Sequence, residues 1–547
     1  MEGSPAAEIV AKGKARRFGL VTTNSITQVF SRRVVAQHLE AKKPISLLMA
    51  IPDHPWTKAT PEAAAVRIAM TVGEAGKRNG ILLEVEREAG LDTDRPEIDF
   101  SEQVGRINAD LTTGTDLALT YALKANDGLC SRGMSLHGSG FIVRPEEAEH
   151  LGLGQRKGLE QHIRPYRNGR DLMARPRGVV VIDLFGLDAE DVRKRFPEVY
   201  QHVLQAVKPG REVNNRASYK DNWWIFGEPR RELRPALAKV PRYIATVETA
   251  SHRVFQFLDA EILPDNMLVC VALQDAFDLG ILSSRIHVTW ALRAGGWLGI
   301  GNDPRYSKSR CFDPFPFPEC SEELPEKIRA VAEELDAHRK ARQAEHPKLT
   351  LTQMYNVLEK LKAGEVLNEA EELIKDDGLV LILKELHQKL DRLVFEAYGW
   401  PEDLTDEQIL ERLVALNKKR AAEEKRGQVR WLRPDYQIPR FGSDAEKARL
   451  KAEKDEARAA QEAMFPEIEP EAGKPRFPTE DELAETAAVM SVLATAAGPI
   501  SIDDIATSFS QGRQIRKRVA MTILALMRLG HLASSDKGET FSLRRTA

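Results

Sequence analysis

Two stretches of this 547-residue chain concentrate arginine and an aromatic ring on turn-forming sequence. In IRPYRNGRDL (residues 163–172), Arg164, Arg167 and Arg170 surround Tyr166 and an Asn168-Gly169 turn. LSSRIHVTWALRAGG and DPRYSKSRCFDPFPFP together offer Arg285, His287, Arg293, Arg305, Lys308 and Arg310, with Trp290 and Tyr306 among them. Guanidinium groups on exposed loops fork onto phosphate oxygens and read guanine edges bidentately, so both stretches are candidate nucleic-acid contacts. Solvated turns carry the same composition, and some of these side chains are expected to bond the fold's own backbone. A third basic group, Arg513, Arg516, Lys517 and Arg518, opens RQIRKRVAMTILALMRLG. A helix that starts this way meets a DNA groove or docks a protein partner, and the sequence weighs the two equally.

Other stretches imitate catalytic sites. Gly299-Ile300-Gly301 follows the glycines of RAGGW with no helix behind it, so a hairpin turn is the better reading than a nucleotide cradle. Asp313-Pro314-Phe315 lacks the second proline of an amino-methyltransferase loop. The four cysteines (Cys130, Cys270, Cys311, Cys320) show no paired metal-ligand spacing and read as idle thiols; no metal is expected. Net charge is only -3, so any polyanion partner must be met by a local basic face. No apolar run reaches membrane-spanning length and no signal core opens the chain; a soluble cytoplasmic protein is expected.

The elements that would hold these residues fall into an α/β and α+β multidomain order. RRFGLVTTNSITQ (residues 16–28) reads as a basic cap, a short buried strand and a polar turn opening a helix. Ile45–Ile51 and the run 63–72 add two more strands, so residues 1–75 look like the end of a mixed sheet. Residues 76–320 read as an irregular α+β domain, 321–439 as helices with apolar stripes, and 440–476 as a charged, exposed linker. Residues 477–547 show three helices and a hairpin turning at Asp536-Lys537-Gly538, the winged-helix order.

Six stretches then recur in a characteristic order: GLVTTNSITQ, DHPWT before AAVRIAMTV, IRPYRNGRDL, GILSSRIHVTWA, DPRYSKSRCFDPFPFP, and AYGWPEDLTDEQILERLVALNKKRAAEEKRGQVRWLRPDY. Residues 8–436 thereby resemble the C-terminal half of large adenine-specific DNA methyltransferases, the MmeI-like enzymes of type IIG restriction–modification and related phage-defence methylases. The resemblance implies a partial class I methyltransferase sheet over 1–75, a target-recognition domain over 76–320 and a helical spacer beyond it. It implies duplex DNA as partner, with Arg164, Arg167, Arg170, Arg285, His287, Arg305, Tyr306, Lys308 and Arg310 as contacts; the tail adds Arg513, Arg516 and Lys517.

In that family the S-adenosylmethionine strand and the Asn/Asp-Pro-Pro-Tyr/Phe loop precede the Thr-Asn-Ser segment. This sequence contains no Pro-Pro dipeptide, so no catalytic or cofactor-binding residue is carried over. The expectation is a DNA-recognition half that needs a separately encoded N-terminal half to bind the cofactor. The rivals are a non-enzymatic winged-helix regulator and an inactive methyltransferase fragment.

Overall fold

The opening strand is the edge of a five-stranded sheet. The computed structural model of the chain describes residues 5–27, 29–56, 67–91, 93, 95–117, 120–298, 303–320, 323–464, 474–479, 481–496, 498–528, 531–535 and 539–543. The Gly299–Gly301 turn, the Asp536–Gly538 turn and the first part of the run 63–72 lie outside the described residues.

Strands β1 (Arg17–Thr23), β2 (Ile45–Pro55), β3 (Arg67–Ala75), β4 (Gly80–Ala89) and β5 (Glu97–Gly105) order as β1-β3-β2-β4-β5. β3 runs antiparallel between β1 and β2, so those two point the same way; β2 and β4 are parallel. The unbroken apolar run of β2 is what a central strand covered on both faces requires. β1 instead alternates exposed and half-buried residues, as an edge does. Gly80 is obligatory where β4 meets β2, because a Cβ there would stand 2.2 Å from the Leu47 carbonyl oxygen. The sheet therefore runs to Gly105, thirty residues past the break expected at 75. The charged β4–β5 sequence hid this, because as an outer pair it buries little apolar surface.

The next eight strands build two small sheets. β6 (Cys130–Arg132), β10 (Arg242–Val247), β11 (Gln256–Asp259) and β13 (Leu268–Val271) order as β11-β10-β13-β6. β7 (Ile142–Val143), β8 (Ile163–Arg167), β9 (Val180–Ile182) and β12 (Leu263–Pro264) order as β12-β8-β9-β7. One apolar core runs from Leu129 to Tyr436 through these sheets and the helices Glu323–Glu345, Leu351–Ala363, Val380–Tyr398 and Asp406–Lys425. The spacer helices share that core instead of forming one of their own. Arg339, fully buried, fastens them by donating to the Phe255 carbonyl at 3.0 Å and to the Tyr355 hydroxyl at 3.1 Å.

Residues Gly442–Ala547 form a second unit. The stretch expected as a linker contains the helix Asp444–Met464, whose Ala, Lys and Glu content favours helix even without burial. Helices Glu482–Thr495, Ile502–Thr507 and Arg516–Arg528 enclose a core of Val489, Leu493, Ile505, Phe509, Val519, Ile523 and Leu526. The two-residue strand Ile500–Ser501 falls between the first two of these helices. It pairs with Thr540–Leu543, which pairs with Leu532–Ser535. Among the described residues no helix is long and apolar enough to cross a membrane.

Candidate nucleic-acid interface

A buried carboxylate at the end of β10 organises the arginine face. Glu248 is 3% exposed and is fixed by its own backbone, whose N–H donates to Met267 while its carbonyl accepts from Tyr306. Its Oε1 accepts from Arg305 Nε at 3.0 Å and NH2 at 2.8 Å, and its Oε2 accepts from Arg132 NH2. One negative charge thus orients two guanidinium groups, each about two-fifths exposed, and leaves a positive excess.

The loop beside them is equally constrained. Arg132 Nε donates to the Asn266 carbonyl at 3.0 Å, and Met267 next to it is 41% exposed. Gly133 presses so closely on the Pro264–Asp265 backbone that a Cβ would lie 2.2 Å from the Asp265 carbonyl oxygen. Arg230 donates to the Gly133 carbonyl at 2.9 Å and pairs with Glu228. Arg167 joins this edge through the parallel pairing of Tyr166-Arg167 with Leu263-Pro264. Beyond it, Asn168 and Asp171 cap the helix Gly169–Met173 reciprocally. Asp171, fully buried, holds Arg177 bidentately; burial pushes its carboxyl up, but the Arg177 bonds outweigh this and keep it below the usual range. Arg170 projects from that helix, exposed and unpaired among the described residues.

Residues 128–319 match the family described as "MmeI, target recognition domain". The solved structure of the type IIL restriction–modification enzyme MmeI in complex with DNA shares this fold, with a TM-score of 0.57 at 19% identity. The match covers 76% of this chain and 51% of that one. DNA methyltransferase A of Bacillus subtilis (strain 168) is 30% identical over 158 residues, 29% of this chain and 15% of that protein. Residues 128–319 thus match an MmeI-type target recognition domain, and the rest of the likeness is one of fold. The chain spans about half the length of the solved structure it matches.

Within this MmeI-like recognition domain, several expected contacts are structural instead. His287 and Tyr306 are fully buried and bonded to each other at 3.1 Å, with Phe315 4.3 Å from the imidazole; this corrects their assignment to DNA. Burial pushes the His287 pKa down to about 3, so the ring is neutral. The pattern misled because an Arg-His-Trp sequence on a helix looks polar, yet the helix Arg285–Gly295 buries His287 and Trp290 on one face. Arg285 is engaged by the fold, donating to the Leu404 carbonyl at 3.0 Å and pairing with Asp406 at 2.7 Å. Arg164 fastens the turn after β11 by donating to the Ala260 and Glu261 carbonyls. Lys308 is exposed but pairs with Asp313 at 3.0 Å.

Arg132, Arg230 and Asn266 were not expected from sequence. They lie in separate windows of the sequence, and the shared Glu248 and the Gly133 carbonyl bring Arg132 and Arg230 to the neighbourhood of Arg305. In the second unit, Arg516 bonds Asp503 at 2.9 Å, Arg513 approaches the same carboxylate at 3.9 Å, and Arg518 bonds Glu485. Lys517 alone of that group is exposed and unpaired among the described residues, while Met521 and Leu524 stand 63% and 55% exposed beside it.

A second polar site lies at the carboxyl ends of β1 and β2, where Thr23 and His54 both oppose Ile68. There Asn24 donates to Asp53 at 3.0 Å, Arg67 bridges Asp53 and Glu88, and Trp56 is 52% exposed. Ligands of open α/β sheets bind outside this end of the strands. S-adenosylmethionine finds no seat on these residues by themselves: β1 runs into the turn Asn24–Thr27, with no glycine-rich loop to admit a nucleoside. Among the described residues no group of His, Cys, Asp and Glu could hold a metal ion.

Proposed function

We propose that this chain reads a specific duplex DNA site for an adenine-specific methyltransferase. In this reading Arg132, Arg167, Arg170 and Arg305 face the duplex. The methyl group passes from S-adenosylmethionine to the exocyclic amino group of an adenine turned out of the helix. The cofactor and the residues that touch the reacting nitrogen belong to a methyltransferase half outside this sequence. The open edge of β1 is its seam, because among the described residues no strand pairs on that side and Val21 stands 58% exposed there. The Asn24, Asp53 and Trp56 cluster then lines the near wall of the base pocket. The domain's place is in restriction–modification or phage defence.

The observation that carries the reading is the Glu248 fork. Two guanidiniums held in place at a loop edge suit base readout, which demands fixed geometry more than charge. The second unit is read as a winged-helix-like module that docks protein, since its third helix ties Arg516 and Arg518 to Asp503 and Glu485 and exposes Met521 and Leu524.

The test is selection of bound duplexes from a random library with the purified chain, followed by a methylation assay with the complementing half added. Enrichment of one motif, with adenine methylation inside it, supports the proposal. A chain that enriches no motif at low salt defeats it.

A further inference from the structure

One face of the five-stranded sheet is apolar from edge to edge and, among the described residues, open toward solvent. Gly19, Val72, Met49, Ile81 and Val104 lie in register across β1, β3, β2, β4 and β5, so they share one side of the sheet. Val21, Met70 and Ile51 form the next rank on that side, and Leu83, Val85 and Phe100 extend it over the outer strands. The opposite side is closed. Leu47, Ala50, Ala69 and Leu82 are buried there with Ala7 and Val10 of the helix Pro5–Ala11 and Leu39 of the helix Val29–Leu39. Among the described residues, none of the first rank joins that core. Val104 is 74% exposed, Ile81 41% and Phe100 37%.

The unbroken apolar run of β2 suits a strand with a layer on each side, yet the structure supplies one. A contiguous apolar surface of this kind marks a docking face, since burying it returns free energy. The charge around it says what docks. β4 and β5 carry six carboxylates and one arginine, and Glu102 stands in the open face itself, in register with Leu83. Such a surface repels nucleic acid, so the occupant is protein, with lysine or arginine on the side that lies over β5. The face is also continuous with the open edge of β1, because Val21 belongs to both.

We propose that this face is the dock of the complementing methyltransferase half, which lays amphipathic helices across it, apolar side down and basic residues over β5. The sheet then becomes the middle of three layers, as a sheet apolar on both sides requires. This rests on the complementing half proposed above and moves its contact from one strand edge to a whole face.

The test is calorimetric titration of the full chain with the half that restores adenine methylation to it. Ile81→Glu and Val104→Glu each weaken association by roughly tenfold or more, because docking then buries a carboxylate with no bond to it. Glu102→Lys also weakens it and flattens its salt dependence, since an attraction across the interface is lost. Asp99→Glu, on the other side of β5, leaves it unchanged. All four positions are exposed, so thermal unfolding of each variant by itself stays close to that of the wild type. Equal association of the wild type and the Ile81→Glu, Val104→Glu double variant overturns the dock alone and leaves the need for a second half standing. So does a wild-type chain that sediments by itself as a dimer and as a monomer once Val104→Glu is made, because a second copy then covers the face. If no polypeptide restores methylation to the chain, the proposed second half falls, and the dock with it.

Discussion

Glu248→Gln exchanges one buried oxygen for an amide and removes one charge at the centre of the arginine face. The carboxylate side chain is 4% exposed and accepts from both Arg132 and Arg305. Gln offers a single acceptor and points an NH2 at the second guanidinium, so at least one arginine loses its anchor. Immobilising a long side chain at an interface costs about 0.5–1.5 kcal/mol, which the anchored arginines have already met before DNA arrives. Freeing one or both therefore weakens specific binding by roughly 0.5–3 kcal/mol, about 2- to 150-fold. Non-specific affinity moves the other way, because the face has lost a negative charge. The assay is fluorescence anisotropy on a selected duplex and on its scrambled counterpart, at one fixed salt concentration, with thermal unfolding as the folding control. The ratio of the two affinities falls while the scrambled affinity rises. A folded Glu248→Gln chain with an unchanged ratio would refute the view that pre-organised arginines do the reading.

Three further outcomes follow from the packing. Gly133→Ala forces the Pro264–Asp265 backbone away by placing a Cβ 2.2 Å from a carbonyl oxygen; sequence preference is lost and the recognition domain is destabilised by about 1–3 kcal/mol, read from urea unfolding. A chain ending at Phe441 keeps the motif preference of the full chain in duplex selection, because residues 442–547 have their own core and Arg516 and Arg518 are paired with Asp503 and Glu485 within it. His387 is bonded to Tyr355 at 2.8 Å and burial holds its pKa at about 3, below an unfolded value of about 6.5. Its neutral form therefore stabilises the fold at high pH, and that contribution is lost as pH falls through 6.5 toward 3. Between pH 7.0 and 5.5 the wild-type chain loses about 1.2 kcal/mol more than His387→Gln, measured by urea midpoints.

The family signal was readable in short ordered motifs, because each is a local device. Asn168-Gly169 makes a cap, Pro-rich DPFPFP makes a turn, and DHPW ends a strand. Strand β2 was visible as an unbroken apolar run, and the tail helices as apolar stripes over the core of the second unit. The extent of the sheet was not visible, since β4 and β5 carry Glu84, Glu86, Arg87, Glu102 and Gln103 on a pair that stays partly wet. The strand Ile500–Ser501 was missed because two residues carry no period.

By itself, then, the sequence determined the kinds of groups available and their local supports: arginines on turns, capped helices, and a recognition domain with its helical neighbours. It could not say which arginines are free. Arg285, Arg164 and Arg516 look no different in sequence from Arg170 and Arg310, yet the first three are held by partners that are distant along the chain. A guanidinium's fate depends on whether folding brings an acceptor to it. That acceptor is a Leu404 carbonyl, an Asp503 carboxylate or the shared Glu248, and long-range packing alone supplies it.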